Sequence, residues 1–262
     1  MKLPLYQIDA FTDEIFAGNP ACVVPLQEWI PDILLLKIAG ENAVAETAFF
    51  VDEGDKIHLR WFTPETEMDL CGHATLATAH ALHSILEYHK KNLVFTTKSG
   101  DLKVSIENDI YTLDFPSRKP LPTPLPEPMD KAINLKPAEV LKARDFVLVY
   151  SSEEDIRNIE INRLYFDQLD LGTGGVIFTA SGTDCDFVSR FFTPGASVFE
   201  DPVTGSAHCS LIPYWSEKLN KTKMNAKQIS NRGGSLICEN KGERILISGK
   251  AKTYSKGFLW TD

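Results

Sequence analysis

Apolar and polar residues alternate along this chain with two different periods, and the order of those periods recurs. The opening LYQIDAF alternates loosely, TDEIFAGNP is rich in turn formers, and ACVVPL is apolar again, which predicts strand, loop and strand. PDILLLKIA, residues 31–39, sets Pro31 at a helix start, with Gly40 and Asn42 as stop signals. AETAFFVDEGDKIHLRWFT reads as two strands joined by the turn DEGD, and GHATLATAHALHSILEYHK as a helix. NLVFTTKSGDLKVSIENDIYTLDF then alternates with period two, broken at SG and ND, the pattern of an antiparallel meander.

Residues 116–128, PSRKPLPTPLPEP, contain six prolines and almost nothing that could form a core. Such a stretch suits a stiff connector, so a domain boundary is expected here, with residues 1–118 and 119–262 as the two domains. A long surface loop within one domain is the alternative. Beyond it the same grammar returns. DFVLVYSS reads as a strand, EEDIRNIEINRLYFDQL as largely helical, LGTGGVIFTASG as a strand with a glycine-rich entry, and DCDFVSRFFTP as another strand. A helix is expected from about Gly205, with Pro213 kinking it or ending its first segment, and SLICENKGERILISGKAKTYSKGFLW returns to alternating strands.

The recurrence extends to the residues themselves. LRWFTPETEMDLCGHAT (59–75) is echoed by SRFFTPGASVFEDPVTGSAH (189–208). A shift of 130 lays RWFTP on RFFTP and Cys71 on Asp201, and three extra residues in the second copy then bring Gly72 onto Gly205 and His73 onto Ser206. An internal duplication explains a period of half the chain, each copy supplying strands that wrap a central helix.

Composition narrows the function. The chain has 262 residues, enough for two domains, and no apolar run near the roughly 18 residues that span a bilayer. The N-terminus lacks a signal-peptide plan, so a cytoplasmic protein without a membrane partner is expected. Five cysteines with no C-x-x-C pair suggest neither a disulfide framework nor a zinc knuckle. A formal charge of −9 repels polyanions, and no basic stripe is present, which argues against nucleic acid as a partner. An anionic small substrate would have to be held locally, by backbone N–H groups at helix N-termini.

The two echoed turns supply such termini, and two like domains leave a cleft in which ligands commonly bind. Thr204, Gly205 and Ser206 could wrap an anion closely; alternatively Thr204 or Ser206 simply caps the helix. Asp201, held extended by Pro202, could orient a substrate amine or act only as a turn former. Glu46 stands among small and apolar residues in AVAETAFFV, where a strand would put Val44, Ala48 and Phe50 on its face. Desolvation of that kind raises a carboxyl pKa and suits a group that takes and returns a proton; a Glu at a strand end with its carboxylate in water is the other reading. His73 could donate to a substrate oxygen. Zinc on His73, His80 and His83 is disfavoured, because no H-E-x-x-H is present. Cys71 at a helix N-terminus could be a nucleophile or base, or a buried structural thiol. No dinucleotide fingerprint, Walker loop or G-x-S-x-G occurs.

DAFTDEIFAGNPACVV, ETAFF, RWFTPETEMDLCGHATLATAHAL and RFFTPGASVFEDPVTGSAHCSLIPYWSEKL together resemble the PhzF-like family of phenazine biosynthesis, over most of the chain. The resemblance implies an α+β, diaminopimelate-epimerase-like fold. Its two similar domains are related by a pseudo-two-fold, each a barrel-like strand wrap around a central helix, with the active site between them. It implies a cofactor-independent isomerase, commonly a homodimer, that works by acid/base proton transfer on a small amino or hydroxy acid. On the matching positions Glu46 would be the general acid/base, with Gly72, His73, Asp201, Gly205 and Ser206 binding the substrate. A two-base racemase is the runner-up, made difficult by Asp201 standing where the echo would need a second thiol. A scaffold that keeps the fold without turnover is the alternative from outside the enzymes.

Overall fold

Two parallel strand pairs organise each half of the chain, an arrangement that alternation alone does not reveal. The computed structural model describes residues 1–262. In the first half, Asn19–Leu26 lies parallel to Glu46–Asp52, with Ala21 opposite Glu46. Parallel neighbours need a crossover, and the helix Asp32–Asn42 supplies it. Pro31 is the residue before that helix, and Ala43, left-handed at φ 51°, ends it. Glu46–Asp52 pairs antiparallel with Ile57–Phe62, which runs parallel to Asn92–Thr97 after a second crossover through the helix Gly72–His80. The meander Asn92–Thr97, Gly100–Glu107, Ile110–Pro116 follows as the period-two pattern predicts.

The second half repeats this order. Phe146–Val149 is parallel to Val176–Ser181, which is antiparallel to Phe187–Phe192; that strand is parallel to Lys223–Gln228, itself antiparallel to Gly234–Asn240. The helix Gly205–Leu219 takes the place of Gly72–His80. The run expected to be largely helical forms two short helices, Glu153–Arg157 and Arg163–Phe166. The Pro-rich stretch also carries structure: Leu121–Pro122 pairs with Leu141–Lys142, and Glu127–Ala132 is helical.

The chain divides into two compact units, Met1–Phe115 with Ile247–Asp262, and Pro116–Leu246. A single cut after residue 118 would leave the tail with the second half. The tail goes with the first because Ala251–Trp260 pairs with Lys2–Ala10 along its whole length. In the first unit every residue of Gly72–His80 is buried, packed against the strands Lys2–Ala10, Asn19–Leu26, Glu46–Asp52 and Ala251–Trp260. On the outer side of that sheet Val24, Leu26, Leu35, Ile38, Phe49 and Phe62 form a further core beneath Asp32–Asn42. The second unit matches it with Leu148, Val176, Phe178 and Phe192 covered by Met129, Ile156 and Phe166. Strands covered on both faces read as continuous apolar runs, as FVLV does. Each large side chain so buried contributes roughly 1.5–3 kcal/mol.

The echo has a structural counterpart in each unit. Arg60 grips Glu67 with two parallel hydrogen bonds, 2.7 and 3.0 Å, and Arg190 grips Glu200 at 2.7 and 2.9 Å. Each guanidinium also lies over the aromatic ring two residues on, Phe62 at 5.1 Å and Phe192 at 4.9 Å. Trp61 pairs with Met68 as Phe191 pairs with Asp201. The three extra residues therefore fall between Arg190 and Glu200, in the loop before Asp201. This corrects the sequence alignment: Asp201 corresponds to Met68, and Cys71 corresponds to Thr204, each being the residue before its helix.

Both central helices depart from ideal geometry. The first is α-helical only to His80 and continues as a π-helical turn over Ala81–Ile85, with the Leu86 N–H reaching Ala81 O at 2.9 Å. The second passes through Pro213 without ending, contrary to a stop there. Proline removes the N–H that would bond the carbonyl four residues back, that of Cys209. The Arg118 N–H donates to Cys209 O at 2.9 Å, which satisfies the orphaned acceptor and accounts for the tolerance.

Candidate active site

Glu46 opens the strand Glu46–Asp52, so Val44 precedes the strand, while Ala48 and Phe50 share its face and are buried. The residue stands at a strand end, yet its side chain is only 15% exposed, so the reading with a carboxylate in open water does not hold. Cys71 is extended at φ −138° and ψ 107°, and the turn to helical geometry at Gly72 brings His73 back over it. The Thr75 hydroxyl donates to Cys71 O and fixes this turn.

Three reactive groups consequently converge in the first unit. His73 Nε2 lies 3.2 Å from Glu46 Oε2, and His73 Nδ1 lies 3.5 Å from Cys71 Sγ. The imidazole–carboxylate contact is at ion-pair distance but lacks the alignment of a regular hydrogen bond, and Nε2 has no other partner. Burial pushes the His73 pKa down to about 3, so the ring is neutral at ordinary pH. A neutral imidazole has one N–H and one acceptor nitrogen. The tautomer with the proton on Nε2 faces the carboxylate with a donor and leaves Nδ1 to accept from the thiol.

Donor atoms of Glu46, Cys71 and His73 all lie within 4.8 Å of one another, so these are the residues that could approach a metal ion. The two imidazole nitrogens face different partners, Nε2 the carboxylate and Nδ1 the thiol. His80 takes no part: its Nδ1 meets Tyr111 Oη at 3.0 Å and its Nε2 meets Thr253 Oγ1 at 2.9 Å. His83 packs edge-on against the Tyr111 ring.

Asp201, Gly205 and Ser206 are gathered in the second unit. Thr204 holds the cap position, but its hydroxyl donates to Asp201 Oδ2 at 2.5 Å and makes no cap bond to the helix. The capping reading of Thr204 is therefore overturned: the hydroxyl oxygen that would accept a helix N–H accepts instead from Gln228 Nε2 at 3.2 Å. Ser206 does not cap either; it lies inside the first turn and accepts from Arg144 Nη2 at 3.1 Å. Arginine only donates, so the Ser206 hydroxyl proton is directed elsewhere.

Sequence reasoning missed two residues here. Gln228, almost fully buried, donates through Nε2 to Asp201 O at 2.6 Å and accepts the Thr204 N–H at 2.8 Å, tying the DPVTG turn together. Its signal was readable: in KMNAKQ the inward positions are Met224, Ala226 and Gln228, so a polar side chain sits in a buried register. Arg144 had no comparable signal beyond the charged pair preceding FVLV. Its neighbour Asp145 is buried and accepts the Gly175 N–H at 2.9 Å. Gly175 is required there, since a Cβ would come within 2.3 Å of the Phe191 ring.

Cys209 lies one turn into its helix, fully buried, and burial pushes its thiol up to about 11. With Thr204 opposite Cys71 in the repeat, the second helix offers a hydroxyl where a two-thiol site would need sulfur.

Comparison with known proteins agrees with this architecture. The model of the family described as Phenazine biosynthesis-like protein, PhzC-PhzF, matches residues 8–257. An uncharacterized isomerase of Pseudomonas aeruginosa is 46% identical over 260 residues, 99% of each chain. The crystal structure of a PhzF-family phenazine biosynthesis protein from Enterococcus faecalis superimposes with a TM-score of 0.94 at 46% identity, covering 100% of both chains. A hydroxyproline epimerase from Agrobacterium vitis shares the fold at a TM-score of 0.64 and 11% identity, over 98% of this chain and 92% of that one. The fold is thus diaminopimelate-epimerase-like, and the chain belongs to the PhzC-PhzF, phenazine biosynthesis-like family.

Proposed function

We propose that this protein is a cofactor-independent isomerase that shifts a proton within a small amino or hydroxy acid, with Glu46 as general acid/base. The observation that carries the reading is the Glu46 carboxylate 3.2 Å from an imidazole that burial keeps neutral. A charged imidazolium would hold the carboxylate as an anion, whereas a neutral ring lets it gain and lose a proton. In the forward step Glu46 takes a proton from carbon, and the electron pair passes into the substrate's own conjugated system. The same carboxyl then returns the proton to another carbon, so no redox partner is consumed. Gly72, His73, Asp201, Gly205 and Ser206 hold the substrate in this reading, the backbone N–H groups at the helix starts suiting its carboxylate. The relatives named isomerases favour this class of reaction.

Candidate amino and hydroxy acids incubated with the protein in deuterated water, followed by NMR, provide the test. Exchange at carbon that disappears in Glu46→Gln is the expected result. Undiminished exchange in that variant removes Glu46 from the mechanism, and tight binding without exchange favours the scaffold.

A further inference from the structure

Glu46, Cys71 and His73 lie in the first unit and bring a carboxylate, a thiol and an imidazole to one point, one donor atom from each falling within 4.8 Å of the others. Tetrahedral zinc, with bonds of about 2.0–2.3 Å, sets its ligand atoms about 3.3–3.6 Å apart. The contact of His73 Nε2 with Glu46 Oε2, 3.2 Å, and that of Nδ1 with Cys71 Sγ, 3.5 Å, already have that spacing. An ion on one ring nitrogen therefore asks only that the remaining donor close from within 4.8 Å.

Burial points the same way. Cys71 and His73 are 4 and 3% exposed, and His73 Nε2 is enclosed without a hydrogen-bond partner. An enclosed nitrogen in that condition costs stability, which a bond to a metal recovers. The Glu46 side chain, 15% exposed, gives an ion its way in. The Thr75 hydroxyl on Cys71 O fixes the turn that presents the thiol, so part of the site is set before an ion arrives.

We propose that Glu46, Cys71 and His73 bind one borderline-soft divalent ion, Zn²⁺ or Co²⁺, and that the bound ion inhibits the protein. The inhibition rests on the reading of Glu46 as acid/base; the binding does not. A carboxylate and a thiolate neutralise the two charges of the ion, the thiol proton passing to solvent as the metal–sulfur bond forms. Sulfur and imidazole favour zinc over Mg²⁺ and Ca²⁺, which take oxygen ligands. With its carboxylate on the metal, Glu46 cannot take a proton from carbon. The second unit does not repeat the site, because Thr204 and Ser206 stand where Cys71 and His73 stand in the first, so one ion per chain is expected.

Cobalt titration of the intact, chelator-stripped protein under nitrogen tests the site without reference to activity. One equivalent of Co²⁺ should raise the ultraviolet charge-transfer band of a cobalt–thiolate bond. Zn²⁺ should bleach that band, and a large excess of Mg²⁺ should not. Cys71→Ser, which nearly keeps the side chain's size, should lose the band. Glu46→Gln should weaken cobalt binding by more than the roughly tenfold that loss of an outer partner costs. In the deuterium-exchange assay Zn²⁺ should halt exchange at carbon, and a chelator should restore it. A wild type without the band, or a band that persists in Cys71→Ser, overturns the site. The two readings fail separately: zinc bound while exchange continues contradicts the inhibition and Glu46 as acid/base, whereas exchange by a protein that binds no cobalt contradicts the site alone.

Discussion

His73 Nε2 lies 3.2 Å from a carboxylate oxygen of Glu46, and the ring stays uncharged because it is buried. Two further histidines share that condition, with pKa values pushed down to about 4 for His80 and His208 by burial. Below about pH 6.5 the unfolded chain protonates these rings and the native protein does not. Stability is therefore whole above pH 6.5 and drains away as the pH falls towards 4 and then 3. At pH 5 each ring costs about 2 kcal/mol. Urea titrations at pH 7 and pH 5 should differ by about 5–6 kcal/mol, and His208→Gln, if it folds, should lose less over that interval than the wild type. An unchanged midpoint between the two pH values would contradict the burial argument.

Arg144 donates a single hydrogen bond to Ser206, which leaves the serine proton available to another acceptor. If Ser206 donates to the substrate, Arg144→Met should raise KM about five- to tenfold, the value of one hydrogen bond, with kcat less affected. Arg144→Lys should recover part of the loss. A KM equal to that of the wild type in both variants would show that the orientation of Ser206 does not matter.

The paired Arg–Glu grips offer an internal comparison. Arg190 also donates to Ile156 O and Ile159 O at 3.2 and 3.4 Å, binding the end of a short helix to the sheet, whereas Arg60 adds an exposed bond to Asp32 and a second ring contact, 5.1 Å from the Trp29 centroid. Lysine cannot reproduce the fork. Arg190→Lys should cost about 2 kcal/mol and Arg60→Lys about 1 kcal/mol by chemical denaturation. The reverse order would mean that the carbonyl contacts contribute nothing.

Much of this was legible in the sequence, for reasons that also explain the remainder. The meander, the helix starts at Gly72 and Gly205 and the prominence of Glu46 follow from local chemistry and period. The parallel pairs were not visible, because an apolar run such as FVLV looks alike beside a parallel or an antiparallel neighbour. The echo revealed the duplication but misplaced its insertion: residues 193–199 carry no pattern, and only the pairing of Phe191 with Asp201 shows that the added residues precede the aspartate. Arg144 and Gln228 were hidden by distance, lying 62 and 24 positions from Ser206 and Thr204. Pro213 read as a break because the donor that repairs it, the Arg118 N–H, comes from the Pro-rich stretch 95 positions earlier.

Glu46→Gln in deuterated water remains the most direct measurement, since glutamine keeps the shape and the neighbouring imidazole but cannot carry the proton. With a substrate that the wild type labels, the variant should bind with similar affinity and lose exchange at carbon by at least about a hundredfold. Exchange at the wild-type rate would contradict the assignment of Glu46 as the acid/base.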